Sequence, residues 1–282
     1  GTAPTWPSSA RRTTRAVRAA RVIRRALALL LVVCPAMIAA QETRCDEGDT
    51  EVVQLSFQGN TAFTDPQLAQ GIVTTSSTRV RRVTRIFGRR HCLNAEELPR
   101  DVLRLRLWYR NHGFLEATVD TVVAAAGRQK VEVRFVIVEG TPVRVDSVVI
   151  EGMDAVPERA ALTADLPTRA GGLFDRYANA ASRDSLTRRL RDNGYPEAEA
   201  FLGYDLHAQE RRATVVFTVS PGRRRRIGRI NITREGRDGG SPEVRTTAVR
   251  RLVGLEVGEL YRERQLERAK RTLYQSEAFA QV

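Results

Sequence analysis

The 282 residues could hold two or three ordinary domains, and 42% hydrophobic with 28% charged side chains suit packed cores, which excludes a disordered or fibrous chain. The formal charge is +13, but seven arginines (Arg11, Arg12, Arg15, Arg18, Arg21, Arg24, Arg25) fall within the first 40 residues with no acid among them. Without them, 39 basic side chains face 33 acidic ones, a balance of +6 that excludes a polyanion trap.

The basic head runs into Ala26 to Ile38 (ALALLLVVCPAMI) and then into Ala39-Ala40-Gln41. A cationic region, an apolar run and small residues before a polar start read as an N-terminal signal peptide over residues 1–40. The run is shorter than the roughly 20 residues that a bilayer span needs. Competing readings are an uncleaved anchor, because Ile38 stands where a second small residue is expected, and a lipoprotein start at Cys34, which bulky Val33 precedes. With the signal removed, Cys45 and Cys92 remain, an even number in an oxidising compartment, which predicts that they pair. Closing that loop is worth about 4 kcal/mol on the chain-entropy account; the alternative is two buried free thiols.

Glu51 to Phe57 (EVVQLSF) alternates and stops at Gly59-Asn60, a half-buried strand and a turn. Thr64-Asp65-Pro66 offers a cap and a first-turn proline for a short helix over Gln67 to Ile72. Ser76 to Cys92, with six arginines, reads as an inserted basic loop: either a solvated surface or a docking face for acidic lipid or protein. Asn94 to Glu97 has the form of a capping box, and Leu98, Val102, Leu105 and Tyr109 keep helical spacing until Gly113 ends the run, so a helix is expected from about Ala95 to His112. Ala117, Val119, Thr121 and Val123 then alternate within a strand from Glu116 to Ala124. Gly127 turns it into an unbroken β-branched and aromatic strand, Lys130 to Val138.

The chain then repeats itself. KVEVRFVIVEGTPVRVDSVVIEG from Lys130 is echoed 82 residues later by ATVVFTVSPGRRRRIGRINITREG, with Gly140 answering to Gly222, and Gly113-Phe114 answers to Gly194-Tyr195 at a spacing of 81. The second copy has a strand at Val143 to Ile150, a helix within Pro157 to Leu166, a link at Gly171-Gly172, and a longer helix with Ala181, Leu186 and Leu190 as its buried spine. A strand at Ala198 to Leu206 and a return strand at Ala213 to Val219 complete it. A third copy begins at Arg226-Ile227, runs through Gly236, and reaches a helix from about Tyr261 with Leu266, Ala269 and Leu273 inward. Phe279 there answers to Phe114 and Tyr195, while Ala278 replaces the expected glycine. The copy stops where its second strand should start, so the chain is read as a fragment. Gly113 and Gly194 are expected as left-handed helix caps, and Tyr109, Phe114 and Tyr195 as core anchors.

The order β-α-α-β-β, the strand-glycine-strand junctions and the helix closing in Tyr-x-x-x-Gly-Phe/Tyr resemble POTRA domains, and the chain resembles most the periplasmic part of outer-membrane assembly proteins of the Omp85 superfamily, of the BamA and TamA type. The resemblance covers about Glu51 to Val282. It implies an α+β fold of tandem POTRA modules, each a three-stranded mixed sheet packed against two helices, with the third incomplete. The boundaries are a signal peptide at 1–40, a first module at 41–141 with the basic insertion 76–92, a second at 142–222, and a truncated third at 223–282. It further implies a membrane β-barrel after residue 282, and as partners unfolded outer-membrane proteins, assembly accessory proteins and the outer membrane itself.

The topology suggests how such clients are held. The apolar third strand of each module should be central, as a strand covered on both sides, which leaves the second strand at an edge. An exposed edge accepts another chain's strand through its unpaired backbone groups. The client-binding residues are therefore expected at Ala117, Val119, Thr121 and Val123, and at Ala198, Ala200, Phe201 and Tyr204, with proline at Val119 or Phe201 expected to impair assembly. The alternative is that these edges are solvated or covered by the neighbouring module. Catalysis is not expected: the carboxylates are scattered, the three histidines (His91, His112, His207) form no triad or zinc spacing, and Gly236 to Gly240 lacks the lysine and helix of a phosphate loop. No cofactor is implied, and the arginines lack the aromatic platform that nucleic acid needs. The competing functions are a secretion partner for one substrate and a periplasmic scaffold anchored in the inner membrane. Arg223 to Arg226, at the junction of the second and third modules, reads as a solvated or salt-bridged linker or as a contact with anionic membrane.

Overall fold

The computed structural model describes residues 45, 48–78, 88–233 and 245–276. The chain divides into a unit at Gly1–Asp46 and one at Glu47–Val282, and every element below lies in the second. The signal peptide, residues 79–87 of the basic insertion, Gly236 and Phe279 lie outside the described residues. Cys45 and Cys92 are both disulfide-bonded.

The first copy folds as β1 (Glu51–Gln58), α1 (Asp65–Gln70), α2 (Glu97–Asn111), β2 (Thr118–Ala125) and β3 (Lys130–Val138). The second follows the same order with β4 (Arg144–Glu151), α3 (Arg159–Thr163), α4 (Arg176–Arg191), β5 (Glu199–His207) and β6 (Arg212–Ser220). The sheet orders are β1-β3-β2 and β4-β6-β5, with the first pair of each parallel and the second antiparallel. The helical crossover between first and third strands forces the parallel pair, and the short turn between second and third forces the antiparallel one. The fold is thus α+β with two mixed three-stranded sheets, as expected.

Each sheet lays one face against its two helices. The first core gathers Val52, Leu68, Leu105, Tyr109, Val119 and Phe135, and the second Val145, Met153, Phe174, Leu186, Leu190 and Phe217. Each such side chain contributes about 1.5–3 kcal/mol through burial. Phe114 and Tyr195 are buried among them, as their place in the repeat requires. The third strands are central by hydrogen bonding but not covered on both faces. In β3 only Val133, Phe135 and Ile137 are buried, and Val138 is 63% exposed. A central strand gains apolar residues from its lateral neighbours even when one face meets water.

Three local expectations are corrected. Helix α2 begins at Glu97 without a side-chain cap; Asn94 Oδ1 accepts only from Glu96 N, and the Glu97 carboxylate turns to Arg100 and Arg104 instead of back to the cap. Ala181 is exposed, and the spine of α4 starts with Asn179 and Ser182, which bond the Thr168 hydroxyl and N–H. In the third copy α5 (Thr246–Val253) and α6 (Glu263–Gln275) form, with Ala269 and Leu273 buried but Leu266 45% exposed. Its first strand is reduced to one bridge between Arg226 and Leu260, because no neighbouring strand is present among the described residues to pair with it.

The glycines at the module ends do two jobs. Gly113 and Gly194 have φ of +91° and +98°, the left-handed cap conformation. Their carbonyls then accept from the next copy, Val143 N at 2.9 Å and Arg225 N at 2.7 Å. Beyond the second module, Arg224 pairs with Glu158 at 3.0 Å, Arg225 with Glu197 at 3.6 Å, and Arg226 Nη1 donates to Gly258 O at 2.8 Å, so much of the arginine run is tied into this junction.

Candidate strand-binding edges

Hydrogen-bond parity decides what β2 offers. Ala126 N donates to Lys130 O at 2.8 Å, closing the hairpin with a bonded pair, and the register continues as Ala125 opposite Val131 and Ala124 opposite Glu132. In an antiparallel ladder bonded and non-bonded pairs alternate. Ala124, Val122, Asp120 and Thr118 therefore spend their N–H and C=O on β3, while those of Val119, Thr121, Val123 and Ala125 point off the sheet. One side-chain contact agrees: Arg106 Nη2 donates to Val119 O at 3.4 Å from the outer side. In the second module Arg191 Nε donates to Ala198 O at 3.1 Å, which gives the same parity to Ala200, Leu202, Tyr204 and Leu206.

Five of the eight expected site residues fall on this pattern. Val119, Thr121 and Val123 have outward-facing backbone groups, whereas Ala117 lies just before β2 and its N–H donates to Phe114 O at 3.4 Å. Ala200 and Tyr204 match them in β5, whereas Ala198, just before it, donates its N–H to Tyr195 O at 3.1 Å and accepts from Arg191. Phe201 does not follow the pattern. It has the opposite parity and pairs with Thr218, so its N–H and C=O are committed to β6 and its ring lies 58% exposed on the open face of the sheet. Proline there would break the module's own ladder, because proline removes the donor. Val119 is also a poor place for proline, since it is fully buried.

Accessibility rises from the start of each edge as far as Val123 in β2 and Tyr204 in β5, beyond which Leu206 is again half-buried. Val119 is 0% exposed, Thr121 half-buried and Val123 43% exposed; Ala198 is 0% exposed, Ala200 and Leu202 half-buried and Tyr204 38% exposed. Tyr204 lies edge-on to Phe174 at 5.1 Å, with the Arg176 guanidinium 5.6 Å over its ring, which braces this end of β5.

The first strands are outer strands too, which sequence reasoning passed over. Their starts are occupied by the chain itself. Val52 N donates to His91 O and Ser77 N to Val52 O, while Val145 N donates to Gly172 O and Gly171 N to Val145 O, all between 2.7 and 2.9 Å. Further along β4, Arg159 Nη2 donates to Ile150 O at 3.0 Å. By contrast, no backbone group among the described residues bonds the outer side of β2 or β5 within their strand limits.

A buried clamp ties α2 and the turn between β1 and α1 to the end of β3. The Glu139 carboxylate, at the end of β3, accepts from Ala62 N at 2.9 Å, from the Thr61 hydroxyl and from Tyr109 OH at 3.0 Å. Burial raises the Tyr109 pKa and the adjacent Glu139 carboxylate raises it further, so the phenol stays protonated and donates. Gly140, at φ +72°, packs on the Glu116 side chain, and Gly222, at φ +70°, on that of Glu197, so the turn after each third strand abuts the segment leading into the second strand. Among the described residues no helix is long and apolar enough to cross a membrane.

Comparison with known proteins gives one family. The model described as POTRA, surface antigen variable number repeat, matches residues 50–140 and 143–222, together more than half of the chain. The outer membrane protein assembly factor BamA of Neisseria meningitidis is 23% identical over 228 residues, covering 80% of this chain and 27% of its own length. That of Neorickettsia risticii is 22% identical over 233 residues, covering 83% and 30%. This chain thus spans under a third of these relatives. Among solved structures, POTRA3-5 of Haemophilus influenzae BamA is 20% identical with a TM-score of 0.45, covering 84% of this chain and 91% of that one. The N-terminal domain of Omp85 from Thermosynechococcus elongatus is 15% identical with a TM-score of 0.35, covering 82% and 88%. The chain belongs to the POTRA family, and its two matched repeats are tandem POTRA domains like those of BamA and other Omp85-type proteins.

Proposed function

We propose that this chain is the periplasmic, client-binding part of an outer-membrane protein assembly factor. It captures β-strands of unfolded outer-membrane proteins along β2 and β5 and passes them to a membrane β-barrel in the full protein, where accessory assembly proteins also dock. In this reading the chain is exported behind a signal peptide, residues 41–141 and 142–222 are complete modules, and residues 223–282 begin a third. Cys45 bonds to Cys92 in the oxidising compartment. The domains act as a scaffold and carry out no catalysis.

The observation that carries the reading is the row of outward-facing N–H and C=O groups at Thr121, Val123 and Ala125, and at Leu202, Tyr204 and Leu206. Backbone pairing is nearly blind to side-chain sequence, which suits a protein serving many clients. The assembly role of the relatives named above supports the choice of client.

Proline at outward positions tests this, because it removes an edge donor without touching the module's own ladder. The double variant Thr121→Pro, Ala200→Pro should bind an unfolded outer-membrane protein about thirtyfold more weakly, since each of the two lost hydrogen bonds is worth about 1 kcal/mol. Its thermal midpoint should fall by only a few degrees. Unchanged affinity in a folded double variant would rule strand addition out.

A further inference from the structure

Arginines stand on strand edges in three places. Arg106, on the exposed side of α2, donates to Val119 O; Arg191, at the end of α4, donates to Ala198 O; and Arg159, at the start of α3, donates to Ile150 O. Val119 and Ile150 lie within their strands and Ala198 one residue before β5, and in each case the acceptor is a main-chain carbonyl that the sheet's own ladder leaves free. A guanidinium has donors and no acceptor, so it can satisfy that carbonyl but cannot continue a ladder, which needs a donor and an acceptor in alternation. A strand adding to the edge would end where it met one.

Burial marks the same point. The residue whose carbonyl Arg106 holds, Val119, is 0% exposed, whereas Val123, two outward positions further on, is 43% exposed. In the second module Ala198 is 0% exposed and Tyr204 38%. The closed end of each second strand is therefore the end with the arginine, and the open end is the one at the hairpin. On the opposite edge, Arg159 closes the far end of β4, whose near end the Gly171-Gly172 segment already occupies.

We propose that Arg106, with Arg191 as its counterpart, is a register stop: it confines an added strand to Thr121 through Ala125 and fixes how far the client can slide along β2. The proposal rests on the strand-addition reading above. A client segment paired with an unstopped edge could occupy several registers two residues apart, because backbone pairing alone does not distinguish them. Stopping one end leaves one favoured register, with the client's end at the guanidinium and its side chains alternating between the two faces of the sheet. Arg191 also pairs with Glu263 at 3.2 Å. Its removal would disturb the third copy, so Arg106 is the cleaner position to vary.

The test uses the full 282-residue chain and a biotinylated ten-residue peptide of alternating valine and threonine. A benzophenone side chain is placed singly at Thr118 or Ala124, both exposed on the open face of β2. With Arg106 present, the peptide should cross-link at Ala124 at least fivefold more than at Thr118. In Arg106→Ala the Thr118 yield should rise to match Ala124. Equal yields with Arg106 present, or no gain at Thr118 in Arg106→Ala while Ala124 still cross-links, would overturn the register stop and leave strand addition standing. No cross-link at either position in either protein would overturn strand addition at β2 and the register stop with it.

Discussion

One joint is built twice with different chemistry. In the first module the buried Asp101 carboxylate accepts from Val73 N and Thr74 N, each at 2.9 Å, and pairs with Arg104. In the second, Ser182 Oγ accepts from Thr168 N at 2.8 Å. Both tie the segment before the long helix to that helix, but only the first can titrate. Burial pushes the Asp101 pKa up, and the bonds from Thr74, from Val73 N–H and from Arg104 outweigh it and hold the carboxyl below its ordinary 3.8. A folded-state pKa below the unfolded one contributes stability that is fully present above about pH 4. That contribution is lost as the pH falls through the lowered value. Asp101→Asn should therefore destabilise the first module by about 1–3 kcal/mol at neutral pH and flatten its acid dependence. Trp108, in α2, reports that module by fluorescence; a variant with the same acid dependence as the parent would contradict the assignment. The sequence showed Asp101 only as a polar residue on a helix, because its partners lie 27 and 28 residues away on a segment that has no regular structure.

At the scale of elements, periodicity located every strand of the two complete modules and the turns between them. Alternation and the glycine landmarks are local properties, and a tight turn needs its glycine wherever the chain goes next. What periodicity missed came from contacts between elements. The first turn of α2 was misread because Glu97 is drawn to Arg100 and Arg104, and the spine of α4 because Thr168 selects Asn179 and Ser182. The two cap glycines were legible as caps but not as junctions. A Cβ on Gly113 would lie 2.5 Å from Phe174 O, a main-chain atom, whereas one on Gly194 would meet Leu260 Cδ1 at 2.6 Å and Arg224 Cγ at 2.9 Å, side chains that can move. Gly194→Ala should cost about 1–2 kcal/mol for the left-handed backbone alone, and Gly113→Ala clearly more. Denaturant unfolding of both variants checks the order, and equal losses would contradict it.

Across the whole molecule, two modules with the same strand order and the same outward parity present two edges, each closed by an arginine at one end and open at the hairpin. The repeat period predicted the order, and the order predicted which strand lies outside. The arginines were not legible: Arg106 and Arg191 sit in helices already rich in surface arginine, Arg159 is the single arginine of the short α3, and only folding brings them to a main-chain carbonyl. Phe201 was misassigned for a related reason, since alternation fixes which residues share a face but the hairpin's bonded pair fixes which backbone groups are free.

The most direct test of the account is backbone amide hydrogen exchange on the full chain with and without an unfolded outer-membrane protein. The account predicts slower exchange at Thr121, Val123, Ala125, Leu202, Tyr204 and Leu206, with little change at Val122, Ala124, Phe201 and Gly203, whose amides already bond within the sheet. Unaltered exchange at all six outward amides, with the client bound elsewhere on the chain, would contradict it.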